Sequence, residues 1–599
     1  MPRKRPPDSG IELDLGRYEL RRHGRRLKLE KKPMDLLILL VSRREQLVSR
    51  KEIIAKLWRS DLFIDTEPNI NNIVRKIRAA LDDDSGKPRF LETVVGKGYR
   101  FVGPIRVIDA RYPPSGSEWG AVNPEKPGGW SERSSLAVLP LLLLGKSADD
   151  HGVCLGFADA LITRLGNLPG IDVLPISVVM NLPPDAAASE SAARLGVRFV
   201  VHGAIQMSKG QWRLSLEMLD TLTQNPCFAR KRDLDLNRLS ELEDEISRQI
   251  ALSLNRPVAP VGLQRRPRHS KDPMAYSEFM RGYRLSSSGD PASLEEAALH
   301  LSNAVTRDPG FSLAHAALSL VCATRHFELD PASEWLEKAE FHCRRALELD
   351  PDLPEGHVAS AFLLWGPSKN FQHVEAIVEL KQALALQNNQ PHAYNRLGTI
   401  LAHIGLLDHA RAMYERGRPF HPRKAVSHSI AQVYLWNGEL DLAQKEIDAW
   451  RAENPGNKYP VYFAPQLAMM TGEWKEAKTL LDEAHQLLPE EPLIASLQGL
   501  FYAMTGKEGK ALDCLTRACA IPKSFGHAHH SYYQFACILA ILERREAAFE
   551  WLQRSVSSGF ACWPFFLEDP WLKNLRELPA FEVLVSSLQA KYPDRLGLL

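Results

Sequence analysis

Apolar residues recur at i, i+4, i+7 and i+11 as Ile70, Val74, Ile77 and Leu81, one stripe along a helix predicted over residues 66–81. Asn69, Asn72, Arg75, Lys76 and Ala79 fall off that stripe and turn amides and cations outward. Thr66 suits the N-cap, and Pro68 is tolerated in the first turn because its missing N–H would have had no partner there. A short hairpin tipped by Gly96 and Gly98 follows over residues 89–101. A cationic helix beside a basic β-ribbon suits a nucleic-acid duplex: one can enter the major groove while the other follows the backbone.

Beyond residue 106 the pattern changes. Pro113, Pro114, Pro124, Pro127, Gly128 and Gly129 mark a linker over 107–134. A second unit, 135–255, opens on a continuous apolar run at 136–144 of buried-strand type. A helix is predicted over 157–168, a strand over 171–176 and a helix over 186–195. A hairpin pairs 199–206 with 212–219 around Lys209 and Gly210. A strand at 227–233 and a helix at 239–254 close this α/β unit. A further linker spans 256–273. From residue 274 to 599 the chain repeats, with loop markers at Pro309, Pro351, Asn388, Pro422, Pro455, Pro489 and Pro522; the last five stand 34, 33, 34 and 33 residues apart. Ala297, Ala339, Ala376, Ala410, Ala443 and Ala477 each stand twelve residues before a marker. Small residues let paired helices approach closely, and proline ends the second helix, so seven or eight helical hairpins and a C-terminal cap are expected.

Charge separates the head from the rest. Residues 1–106 hold 25 Lys+Arg against 15 Asp+Glu, a net of +10. The whole chain has 75 and 73, which leaves 50 against 58 beyond residue 106, a net of −8. A basic head on an acidic body predicts salt-dependent binding of phosphates by the head alone. The longest candidate membrane segment, 136–144, is far too short to span a bilayer. No apolar stretch of signal-peptide type follows the basic first ten residues. Eight cysteines form no Cys-x-x-Cys pair and read as small apolar residues in a reducing compartment. A cytoplasmic protein is expected.

Residues 11–106 resemble the OmpR/PhoB-type winged-helix DNA-binding domain. The resemblance rests on Ile11 to Asp14, on Arg26 to Leu29 leading into Asp35, Leu36 and Leu37, on Val48 to Glu52 before Leu57 and Trp58, on the basic helix, and on Gly98, Tyr99, Arg100 and Phe101. It implies a short N-terminal sheet and three helices, the third reading the major groove. It also implies that Asn72, Arg75, Lys76 and Arg78 contact bases or phosphates and that Thr93 contacts a phosphate from the wing. Lys97 at the wing tip and Arg100 complete the expected DNA-binding set; Val95 stands where several members have arginine. The loop that opens at Leu57 and closes at Asp65 matches the segment that touches RNA polymerase in some relatives. Residues 135–140, 156–163 and 201–205 resemble the TolB-N-terminal-like or FlgO-like module. Tyr394, Leu397, Gly398, Gly405, Ala410, Tyr414 and Pro422 match the tetratricopeptide consensus. The fold class expected is therefore multidomain: winged helix, small α/β domain and all-α solenoid.

No catalytic chemistry stands out. Gly145, Lys146 and Ser147 imitate the end of a phosphate-binding loop, but Pro140 occupies the place of its required glycine. His151 and Cys154 lack a second ligand pair at useful spacing. His527, His529 and His530 form a local cluster in which helical spacing puts only His527 with His530 on one face, so a solvated helix entry is expected rather than a metal site. No cofactor is expected. The combined expectation is a one-component regulator, of the CadC-like kind but with no membrane helix and no receiver domain. Its partners would be double-stranded promoter DNA, RNA polymerase through 57–65, and a protein or peptide on the concave face of the repeats, with dimers forming on DNA. The rival reading is a scaffold whose winged helix binds proteins. Salt titration separates them, since a DNA reader loses affinity steeply between roughly 50 and 200 mM salt.

Overall fold

The computed structural model describes residues 11–14, 19–22, 25–27, 29–42, 47–50, 52–53, 66–84, 86, 88–94, 96–103, 105–108, 134–144, 151–166, 171–180, 182, 186–208, 211–234, 239–254, 270, 272–286, 291–420, 427–453, 460–521 and 528–592. The chain divides into two compact units, 1–125 and 126–599.

In the first unit, β1 (Ile11–Asp14), β2 (Glu19–Arg22) and β3 (Arg25–Leu27) form an antiparallel meander. Helix α1 (Lys31–Ser42) buries Met34, Leu36, Leu37 and Leu40. After β4 (Val48–Ser49) comes α2 (Thr66–Leu81), whose Ile70, Val74, Ile77 and Leu81 are all buried, as the stripe predicts. Strands β5 (Leu91–Val94) and β6 (Gly98–Phe101) make the hairpin, and β4 pairs with β6. That pairing needs a glycine: a Cβ on Gly98 would lie 2.1 Å from the Val48 carbonyl oxygen. One boundary differs from expectation. Strand β7 (Arg106–Ile108) pairs in parallel with β1, so residues 107 and 108 belong to a four-stranded sheet and not to the linker. Residues 109–133, the loop 57–65 and the side chains of Thr66 and Pro68 lie outside the described residues.

In the second unit, the apolar run 136–144 is not one strand. It is β8 (Ser134–Val138) and β9 (Leu142–Leu144), broken at Pro140, which has no N–H to offer a ladder. Leu142 and Leu144 are 42% and 49% exposed, against the burial expected of them. Next come α3 (His151–Gly166) and β10 (Ile171–Val173). The predicted strand 171–176 stops at Val173, and a short helix α4 (Ile176–Val179) begins after Pro175. Helix α5 (Ala188–Leu195) leads to β11 (Phe199–Ser208), β12 (Gln211–Asp220), β13 (Asn225–Leu234) and α6 (Leu239–Ser253). Strands β8 and β9 both run parallel to β11, while β11, β12 and β13 are antiparallel to one another.

Among the described residues from Pro273 onward the helices form eight hairpins, the first Pro273–Ser286 with Pro291–Arg307 and the eighth Ala528–Ile541 with Arg545–Ser557. A 3-10 turn (Pro570–Leu575) and the helix Pro579–Lys591 cap them. The close approach that the small residues predict is visible at Gly398, where a Cβ would meet the Tyr414 ring at 2.8 Å. The sequence separates residues 135–255 from 274–599, but the two share one apolar core running from Leu136 to Tyr592. Asn389, fully buried, donates from Nδ2 to the Val173 carbonyl oxygen at 3.0 Å and seats β10 against the repeats. A backbone oxygen shut away from water needs such a donor.

His373 ties the array to its cap. Its Nε2 donates to the Gly559 carbonyl at 3.0 Å, which leaves Nδ1 to accept from the Tyr592 hydroxyl at 3.2 Å. Burial, with Lys591 nearby, pushes its pKa from 6.5 down to about 4. A depressed histidine pKa stabilises the fold above 6.5, and that contribution is lost as pH falls through 4. Wild-type protein is therefore expected to lose about 3 kcal/mol more than His373→Gln between neutral pH and about pH 4. Denaturant unfolding at the two pH values measures it, and a pH-independent difference would contradict it.

Candidate nucleic-acid interface

The helix α2 is held at its C-terminus and along its flank, and the holding explains which cations it shows. At its C-terminus the Arg22 guanidinium donates to the Leu81 carbonyl oxygen at 2.6 Å, a cation set where the helix dipole is negative. Asp82 then takes a left-handed conformation (φ 52°) and turns the chain back. Asp83, whose side chain is fully buried, receives the backbone N–H groups of Arg89, Phe90 and Leu91 at 2.6, 3.0 and 3.0 Å. It also pairs with Arg78 at 3.4 Å. One carboxylate thus fixes the start of the wing against the end of α2.

Arg78 differs from the other cations of α2. It is 8% exposed, and its second guanidinium nitrogen donates to Thr93 Oγ1 at 2.9 Å. Its guanidinium is engaged between helix and hairpin instead of being displayed outward. A second tie joins the same elements: the Tyr99 hydroxyl donates to Asn71 Oδ1 at 2.9 Å, with an Arg50 nitrogen 3.3 Å from each. Nothing in the sequence marks Arg50, Asn71 and Tyr99 as a unit. Their only signal was that all three lie in segments that carry the family resemblance.

The displayed set is smaller than the predicted one. Asn72 and Arg75 are exposed, with Arg75 donating to Asn72 Oδ1 at 3.1 Å, so the pair presents a joint amide and guanidinium surface. Lys76 is half-buried and pairs with Glu30 at 2.7 Å. With side-chain exposures of 37% and 71%, such a pair contributes at most about 1 kcal/mol and exchanges readily for a phosphate. Lys97 is exposed at the hairpin tip beside Gly96, whose φ of 72° makes the tight turn. Arg100 sits on the hairpin within 3.2 Å of Glu92, and Thr93 is exposed. Val95 and the polymerase-type loop 57–65 lie outside the described residues. The arrangement offers a rigid cationic helix with a cationic loop beside it.

Among the described residues one group could hold a metal ion, and it belongs to the second unit: His403, His529 and His530. The expectation that only His527 and His530 could cooperate is corrected there, since His529 and His530 both face a histidine from another repeat; His527 is outside the described residues. No described helix is long and apolar enough to cross a membrane.

Residues 24–101 match the family described as Transcriptional regulatory protein, C terminal (Trans_reg_C). The "Transcriptional regulatory protein YxdJ" of Bacillus subtilis is 34% identical over 92 residues, 15% of this chain and 39% of its own length. The "Transcriptional activator CadC" of Escherichia coli is 28% identical over 88 residues, 14% of this chain and 17% of its own. A longer match, 26% identity over 264 residues, is to "Putative adenylate cyclase 3" of Rhizobium meliloti, covering 43% of each chain. The chain spans less than half the length of these curated relatives.

Proposed function

We propose, because residues 24–101 are a transcriptional-regulator domain of OmpR/PhoB type, that this protein binds promoter DNA through α2 and the β5–β6 hairpin and regulates transcription without catalysing a reaction. The observation that carries the reading is the exposed Asn72–Arg75 couple on a helix whose other face is fully buried. A guanidinium and an amide side by side suit the acceptor and donor edges of the major groove. Lys76, Lys97 and Arg100 supply phosphate contacts, and Arg78 with Thr93 positions helix against wing. Such a partner puts the protein in the cytoplasm.

The helical array is the controlling part in this reading: a protein or peptide docks on its concave face and alters how two heads pair on tandem half-sites. The loop 57–65 is the proposed contact for RNA polymerase. Light scattering with and without operator DNA tests the pairing, and a strict monomer in both conditions removes it. For the contact residues, Arg75→Ala is expected to weaken operator binding by about 1–3 kcal/mol while binding to random DNA changes less. Equal losses on both DNAs would make Arg75 a phosphate contact. Unchanged affinity on both would mean that α2 is not the reading element.

A further inference from the structure

Three imidazole rings converge between the fourth and the eighth helical hairpins. His403 ends the helix Pro391–His403, and His529 and His530 lie in the first turn of Ala528–Ile541. The Nε2 atom of His403 is 3.2 Å from Nε2 of His529 and 3.3 Å from Nε2 of His530. One ring nitrogen from each residue lies within 4.8 Å of the other two.

The tautomers follow from what the other nitrogens do. His403 Nδ1 is 2.7 Å from the Thr399 carbonyl oxygen, and His529 Nδ1 is 2.8 Å from that of Ser558. A carbonyl oxygen only accepts, so each Nδ1 carries the proton and each neutral ring keeps a lone pair on Nε2. Lone pairs brought to 3.2 Å repel unless a cation lies between them. A proton joins two nitrogens well but serves three that converge only through a weak, bent three-centre bond. We infer that His403, His529 and His530 form a binding site for a divalent transition-metal ion of the zinc class.

Two of the three edges have the dimensions of a site. A tetrahedral ion with metal–nitrogen bonds of about 2.0–2.1 Å holds its ligands about 3.3–3.4 Å apart, close to the 3.2 and 3.3 Å from His403 to His529 and His530; the His529 and His530 nitrogens lie within 4.8 Å of each other. An Nδ1–H donated to a backbone carbonyl is the outer contact that orients metal-binding histidines. An all-imidazole donor set favours zinc, copper or nickel over calcium or magnesium. Aromatic rings wall the site: Trp365 meets the His403 ring edge-on at 5.0 Å, and Phe560 lies 5.0 Å from His530. His403 and His529 are 1% and 0% exposed, whereas His530 is half-buried, which leaves the fourth position open on its side for a water or a ligand atom. The ion staples two hairpins whose ligands are 126 residues apart, beside a backbone bond from Ala561 N to the His403 carbonyl at 2.7 Å.

The test uses the full, untagged chain, stripped with a chelator and then titrated with Zn2+ and, separately, Co2+. The expected result is about one equivalent of bound Zn2+ and a visible absorption band of tetrahedral Co2+. His530→Gln, at the half-buried position, keeps the array's helical circular dichroism and weakens Zn2+ binding by more than the roughly 10–100-fold that loss of a supporting hydrogen bond costs. His403→Gln does the same, and His485→Gln, in another repeat, binds as wild type does. Stripped wild-type protein that takes up no stoichiometric metal would overturn the inference. So would uptake that survives unchanged in both His530→Gln and His403→Gln.

Discussion

Asp83→Ala is expected to unfold or severely loosen the DNA-binding head while the helical array keeps its structure. The Asp83 carboxylate is the common acceptor for three backbone N–H groups and the Arg78 guanidinium, with none of its side chain exposed. Alanine leaves those three donors without their partner and Arg78, only 10% exposed in its side chain, without its counter-ion. Removing one partner of a buried ion pair costs about 3–5 kcal/mol, a large part of the roughly 5–15 kcal/mol that holds a domain together. The array has a separate apolar core, to which none of the described head residues belongs. Segment-resolved amide hydrogen exchange is the measurement: protection of residues 89–101 should collapse and that of residues 291–420 should not. Unchanged protection over 89–101 would show that the hairpin is held by its own pairing and that Asp83 is dispensable.

The same carboxylate shows where the sequence stops being legible. The stripe Ile70, Val74, Ile77, Leu81 announced α2 because a helix on a core leaves a period of 3.6 in its residues. Arg78 carried no such mark. A cation one position after Ile77 looks like a groove-facing residue until Asp83 is known to curl back beneath it, and that depends on the left-handed turn at Asp82. Residues 107 and 108 look like linker for a related reason: parallel pairing of 106–108 with 12–14 is set by chain closure over some ninety residues and leaves no local pattern. In the second unit, length misled more than composition. The run 136–144 is apolar enough for a strand, but Pro140 divides it between two stretches of β11, 199–201 and 204–206. The repeats were legible because each solenoid unit packs mainly on its neighbours, so its pattern recurs along the chain. Contacts that jump between repeats break that rule, which is why the approach of His403 to His529 and His530 could not be read from spacing.

Glu243→Gln is expected to stabilise the second unit at alkaline pH, although it breaks an ion pair. Glu243 on α6 sits 3.0 Å from Arg164 on α3, and Arg164 also holds Asp244 at 2.6 Å. Burial raises the Glu243 pKa from 4.5 to about 7; Arg164 pulls it down and loses, while Asp244 and Asp159 push it further up. A raised carboxyl pKa stabilises the fold fully below 4.5, and that contribution is lost as pH rises through 7. The difference amounts to about 3 kcal/mol between about pH 4 and pH 8. Glutamine has the shape of the protonated acid and does not titrate, so the variant should match wild type near pH 4 and exceed its stability by about 3 kcal/mol near pH 8. Arg164 keeps Asp244, so the substitution strands no cation. Denaturant unfolding followed by far-ultraviolet circular dichroism at both pH values decides it. A variant less stable than wild type at pH 8 would mean that the attraction of Arg164 outweighs the desolvation of Glu243, the reverse of the order assigned to them here.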